Sequence, residues 1–400
     1  MTETTHPAPG GLSREFKVTT LICAAHFVSH FYFLILPPLF VFIRDDFGVS
    51  YTELGFALTA FSVVTTLVQT HAGFLVDRVG ARLVLIAGLV IGGVSFLIAG
   101  LAPSFWVFVA MFGLAGLGNT AYHPADYAVL SHEVAEARIG HAFAAHNFSG
   151  MLGGAVAPPV LLVLHGAIGW RGAYVASALL GFAVALVIAS TPDISSAKRT
   201  APSADQPRAG LALLTSPVIL FNWIYFALLS FIATGLQGYT AVAAKDLFGT
   251  PLPVGNTAMA AYLAGTAVGV VMGGVLAARV GRHALVAMTG VTLTGAAAGL
   301  AGLVDLGSAG LIAALALAGI ASGAAMPSRD LLVREVTPKG SFGTVFGFLS
   351  TGFSFAGMVA PLVFGLLMDH GEPRAVFLVT AVACLVGVAA IAAGSRRAEG

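Results

Sequence analysis

Four small groups of ionisable side chains stand out in a chain that offers few of them. His26 and His30 lie four residues apart in "AAHFVSHFYF", a spacing that puts both on one face of a helix. His123 and Asp126 lie three apart in "NTAYHPADYAVLS", with Tyr127 beside them. His146 and Asn147 are adjacent, so on a helix they point in different directions, and Arg329 and Asp330 are adjacent in "GAAMPSRDLLVRE". Imidazole titrates near neutrality, so His26, His30, His123 and Asp126 are candidates to carry a proton. A guanidinium such as Arg329 can hold an anion. Three imidazoles could also hold a metal ion. His26, His30 and His123 would be that set, but no sulfur ligand or cluster of carboxylates strengthens it, and no metal ligand is assigned. There is no nucleophile–base spacing, phosphate loop or His-Glu-x-x-His pattern, so neither an enzyme nor a cofactor is expected.

The elements that must position these groups are apolar. The 400 residues are 58% hydrophobic and only 9% charged, against about 25% charged in a soluble protein. About 20 consecutive apolar residues cross a bilayer as a helix, and twelve such blocks are legible, at 18–43, 52–75, 83–102, 105–130, 140–165, 170–190, 217–243, 256–277, 284–303, 308–333, 343–369 and 374–394. An uncompensated charge at that depth costs roughly 2.5–3.5 kcal/mol or more, which makes each buried ionisable group a functional candidate. The first segment, 1–17, is polar and lacks the pattern of a cleaved secretory signal. The stretch 191–216, rich in Pro, Ser, Ala and charge, reads as a flexible linker between six-span units at 18–190 and 217–394, and residues 395–400 form a short tail. The net charge of +1, without a basic patch interleaved with aromatics, argues against a nucleic-acid partner. Cys23 and Cys384 support neither a disulfide nor a cysteine metal site. The Lys/Arg bias sets Arg14, Lys17, Arg78, Arg82, Arg138, Arg279, Arg282 and Arg334 on one side with the linker, against Arg44, Arg171, Lys245 and Arg374. It predicts that both termini are cytoplasmic.

The two halves repeat each other. "GFLVDRVGAR" from Gly73 recurs as "GVLAARVGRH" from Gly274, and "HAFAAHNFSGMLGGAVAPP" from His141 aligns with "TVFGFLSTGFSFAGMVAPL" from Thr344. "YHPADY" aligns with "MPSRDL", so that Pro124 meets Pro327 and Asp126 meets Arg329. Duplicated helical units around a midplane site are the architecture of secondary transporters. Twelve spans together with "GFLVDRVGAR" resemble the major facilitator superfamily over roughly residues 15–395. That resemblance implies an all-α membrane protein with twelve transmembrane helices in two pseudo-symmetric six-helix bundles. The first, fourth, seventh and tenth spans would line a central cavity for a small-molecule substrate. It also implies that Gly73, Asp77, Arg78, Gly80 and Arg82 form a gating loop on the cytoplasmic side. The second copy has Ala278 in place of Asp77, so its latch should be weaker.

Further resemblances concern the branch. Gly150, Gly153, Gly154 and Pro158 in "NFSGMLGGAVAPP" are similar to the glycine–proline motif of exporters, with Ala157 where a glycine is usual. Small residues at this spacing also serve plain helix packing. The first span and "YHPADY" resemble the fosmidomycin-resistance efflux branch, with His30 where that branch tends to carry an acid. The fourth-span arginine of many drug/proton antiporters is missing from "FVAMFGLAGLGN". These features imply a monomeric carrier in the lipid bilayer of a bacterial-type inner membrane, exporting a small drug-like or polar organic compound against protons. The alternative is an uptake symporter for a small organic anion, held by Arg329. Asn222, Tyr225 and Gln237 on the seventh span would add neutral hydrogen-bonding groups. Two arrangements of the charges stay open: Asp126 and Arg329 pair across the halves, or Asp126 bonds to the first or second span within its own half and Arg329 pairs with Asp330 or with a loop acid.

Overall fold

The computed structural model describes residues 12–191, 211–337 and 342–399. Most of the 1–17 segment, most of the 191–216 linker and residue 400 lie outside the described residues. Every regular element among the described residues is helical. Eleven of the helices are long and apolar enough to cross a membrane, yet the crossings number twelve. The difference lies in Glu136–Ala189, a helix of 54 residues. At 1.5 Å per residue it would run about 80 Å, far beyond a hydrocarbon core of about 30 Å. It turns at Gly169, whose φ of 73° and ψ of 170° are non-helical and suit a residue without Cβ. The fifth and sixth spans are thus joined by a corner with hardly any loop. Arg171 pins that corner, donating to Ala102 O at 2.9 Å and to Asp46 Oδ2 at 2.8 Å with its guanidinium over the Trp170 ring.

The first and seventh spans are broken at corresponding places. The first runs Leu12–Phe33, tightens through a 3₁₀ turn at Pro37–Leu39 and resumes at Phe40–Phe47. The seventh runs Pro217–Thr234, widens through π-type turns at Gly235–Tyr239 and resumes at Thr240–Phe248. Pro37 and Pro38 cannot donate to a helix ladder, which accounts for the first break. The fourth span is also divided, into Phe105–Asn119 and Tyr122–Glu133. Its counterpart, Gly307–Glu335, passes continuously over Pro327. The second span is Tyr51–Val79 and the third Ala81–Gly100. The eighth and ninth are Leu252–Val280 and His283–Leu303, and the eleventh and twelfth are Phe342–Asp369 and Pro373–Glu399.

Glycine sets how closely these helices approach. A Cβ on Gly273 of the eighth span would lie 2.7 Å from Ala324 Cα of the tenth, so the two backbones meet directly, as small residues permit within membranes. The same device joins the two halves. A Cβ on Gly55 of the second span would lie 2.8 Å from Pro361 O, and one on Gly365 of the eleventh 2.7 Å from Thr52 Cα. Thr59 Oγ1 donates to Met358 O at 2.8 Å along the same seam. Asp369 completes it by accepting from the backbone amides of Tyr51 and Thr52, each at 2.8 Å, and from the Thr52 hydroxyl. The contacts along this seam between the halves lie toward the face remote from the chain termini. Near the other ends of the four spans that meet across the halves, a Cβ on Gly73, Gly140, Gly274 or Gly347 would find nothing within 4 Å. The halves are therefore in direct contact on the face away from the termini, and near the face that bears them these four glycines make no such approach among the described residues.

Candidate functional site: a central cavity and a histidine–aspartate cluster

Between the halves lies a cavity of about 480 Å³. His30 and Phe33 reach it from the first span, Asn119 and His123 from the fourth, Tyr225 and Gln237 from the seventh, and Arg329 from the tenth. The breaks in the first and seventh spans fall at its wall, where Leu34, Pro37 and Gly238 line it. Much of the wall is apolar. Among the described residues lining it there is one permanent cation, Arg329, and no carboxylate.

Behind the N-terminal wall sits a cluster drawn from three spans. Asp126 is fully buried. Its Oδ2 lies 3.0 Å from His146 Nε2 and 3.5 Å from His26 Nδ1. The His26 and His146 rings stack with centroids 3.7 Å apart, and His26 meets His123 at 5.1 Å and His30 at 4.7 Å. Gly150 makes the cluster possible. A Cβ there would come within 2.6 Å of His26 Nε2 and 2.9 Å of His30 Cδ2. Gly153, one turn on, lies against the Phe27 backbone, and Gly154 faces Leu34 and, across the halves, Leu263. Pro158 is buried within the same helix. One carboxylate among these imidazoles balances one positive charge, so the cluster can hold a single proton without net charge. His123 belongs both to the cluster and to the cavity surface, which joins the two spaces.

Arg329 does not meet Asp126 in this conformation. Its Nε and its terminal nitrogen Nη2 donate to Asp330 Oδ1 at 2.8 and 2.7 Å, and its guanidinium lies 4.9 Å over the Phe226 ring. Of the two arrangements left open by the sequence, the local one is seen: Asp126 stays within its own half, against the first and fifth spans. Tyr127 flanks the cluster, its ring 5.1 Å from that of His146. Asn147, the next residue on that helix, is exposed. Asn222 turns back to its own helix, donating to Val218 O at 2.9 Å, and does not line the cavity. Trp223 donates to Thr351 Oγ1 at 2.9 Å. In the loop after the second span, Arg82 caps the sixth span by donating to Ala189 O at 2.6 Å, Arg78 is exposed, and Asp77 Oδ1 is buried without a hydrogen-bond partner among the described residues. Gly80 supplies the turn, with φ 95°.

Three further groups were not singled out from the sequence. Tyr122 lines the cavity with a buried hydroxyl that has no hydrogen-bond partner among the described residues, and Tyr32 spans to Ser177 O at 3.1 Å. Asp369 ties the halves together. Tyr122 stands next to His123 in a stretch already marked by its polar residues. Nothing in the sequence around Asp369 marks it, because its partners are backbone amides 317 and 318 positions away.

A twelve-span bundle of two repeated halves, sealed at one face around a cavity that both halves line, defines a membrane carrier. The sequence profile described as Major Facilitator Superfamily matches residues 22–255 and 227–399. The chain belongs to the major facilitator superfamily; it is a transporter and not an enzyme. It is 26% identical over 416 aligned residues to a probable sulfoacetate transporter of Cupriavidus necator, covering 95% of this chain and 93% of that one. It is 22% identical to the fosmidomycin resistance protein of Escherichia coli, covering 98% and 97%. Among solved structures, a bacterial homologue of the human lysosomal transporter Spinster, described as inward-facing and unoccupied, superposes with a TM-score of 0.81. It is 15% identical, and the match covers 97% of this chain and 98% of that one.

Proposed function

We propose that the protein moves a small organic anion across the membrane by alternating access, with Arg329 as the anion's partner and the His–Asp cluster as the carrier of a coupling proton. The observation that carries this reading is the charge of the cavity wall: one guanidinium, two imidazoles (His30 and His123) and no carboxylate among the described lining residues. An anion entering there takes a charge-assisted hydrogen bond from Arg329 in competition with Asp330, which holds its Nε and Nη2 in this conformation, while a cationic compound meets no carboxylate on the described cavity wall. The relative named for sulfoacetate supports the same substrate class. His123 touches both spaces, so a proton on the cluster and an anion on Arg329 bias the same rocking motion. With both termini cytoplasmic in an inner membrane, the face closed by the Asp369 seam is the outward one.

The reading favoured by the glycine–proline motif, proton-driven export of a drug-like compound, has the apolar part of the wall in its support and the fosmidomycin-resistance relative beside it. Ligand-induced thermal stabilisation of the purified protein separates the two, since a ligand stabilises what it binds. Short sulfonates and carboxylates are expected to raise the melting temperature and to drive counterflow in proteoliposomes, and Arg329→Gln is expected to abolish both. Stabilisation by cationic drugs, with none from anions, would overturn the anion reading.

A further inference from the structure

We propose that His26, His123 and His146 form a binding site for one divalent transition-metal ion of the zinc class, set in the wall of the cavity. One donor atom from each ring lies within 4.8 Å of the others. The set differs from the one suggested by sequence: His146, from the fifth span, replaces His30. Unused donors are the second observation. His146 Nδ1 and Asp126 Oδ1 are buried and have no hydrogen-bond partner among the described residues, and His26 Nδ1 has only the Asp126 carboxylate at 3.5 Å, whereas buried polar atoms are paired in the great majority of cases. A bound cation satisfies the free imidazole nitrogens, with Asp126 outside the ligand set.

The surroundings fit a metal site. Asp126 holds His146 through Nε2 and leaves Nδ1 for the ion, the carboxylate–histidine–metal arrangement that orients ligands from the second shell. Imidazole nitrogen suits zinc, nickel, cobalt and copper, and does not suit magnesium or calcium. His123 is exposed to the cavity, which supplies an entry path and leaves the fourth position open to water or to an anionic oxygen. Three donors around a tetrahedral zinc stand roughly 3.4 Å apart, so binding draws the nitrogens together and turns the His26 and His146 rings out of their stacked packing. All three ligands belong to the N-terminal half, and the site moves with that half as a unit. The inference is independent of which compound is transported.

The test uses the full chain, purified in detergent with a tag that contains no histidine and stripped with EDTA, then titrated with Co²⁺. Wild-type protein is expected to bind one equivalent with the intense visible bands of a four-coordinate ion, and zinc is expected to bleach them. His123→Gln and His146→Gln should each remove the bands, Asp126→Asn should weaken binding by about 10–100-fold as loss of a second-shell partner does, and His30→Gln should leave binding intact. No visible bands on the wild type would overturn the proposal whatever the variants do. So would bands that survive both His123→Gln and His146→Gln in protein that remains monodisperse.

Discussion

Asp369 reaches from the end of the eleventh span to the first two amides of the second, across the boundary between halves. These amides are among the free donors at a helix N-terminus, where a carboxylate also meets the positive end of the helix dipole. Asp369→Asn keeps the shape, removes the charge and leaves one acceptor oxygen where there were two. A carboxylate at a helix N-terminus contributes about 0.3–1 kcal/mol when exposed, and loss of a charge-assisted hydrogen bond adds roughly 1 kcal/mol at a solvated site. Asp369 is exposed, so the sum expected is about 1–2 kcal/mol, a factor of about 5–30 between the two conformations. The readout is the distance between spin labels at Ser104→Cys and Ser308→Cys, exposed positions at the starts of the fourth and tenth spans on the sealed face, in a background without Cys23 and Cys384. The variant should raise the population with long label distances by that factor, and Asp369→Glu should raise it less. An unchanged distance distribution in folded Asp369→Asn would refute the idea that this contact holds the face closed.

Three other outcomes are expected. Gly153→Ala places a Cβ 2.9 Å from the Phe27 carbonyl carbon, so the first and fifth spans must separate; overpacking of this kind costs about 1–3 kcal/mol, read as a lower melting temperature in detergent. Asp126→Asn should retain substrate counterflow but lose the response to an imposed pH gradient in proteoliposomes; full retention of that response would remove the cluster from the coupling step. Tyr239→Phe removes the hydrogen bond from its hydroxyl to Pro361 O at 2.7 Å and should lower stability by about 0.5–1.5 kcal/mol without altering the dependence of transport on Arg329.

The crossings were legible because lipid demands long apolar helices, and the repeat was legible because the same residues recur at a near-constant offset. Even the corner between the fifth and sixth spans fell where the sequence set a boundary, around Gly169. The partners of Asp126 were not legible. Spacing says which residues share a face of one helix, but it does not say how two helices are rotated against each other. That rotation is fixed here by the Gly150 and Gly153 approaches to His26 and Phe27, contacts between residues more than a hundred positions apart. The alignment of Asp126 with Arg329 is real in sequence, yet Asp126 lies behind the cavity wall while Arg329 lines it. The breaks in the first and seventh spans escaped notice for another reason. Only the first carries prolines to mark it, whereas Gly235–Tyr239 widens without any residue that forbids an ordinary helix.

The seam at Asp369 has a one-sided heritability. Its receptors on the N-terminal half include two main-chain amides, which no side-chain substitution at Tyr51 or Thr52 can delete, short of proline. Its carboxylate, by contrast, hangs on a single codon of the C-terminal half. Mutational drift in the N-terminal half can therefore reshape the cavity and leave most of this closure in place, while one change at position 369 can alter how readily that face opens and leave every cavity-lining side chain as it was.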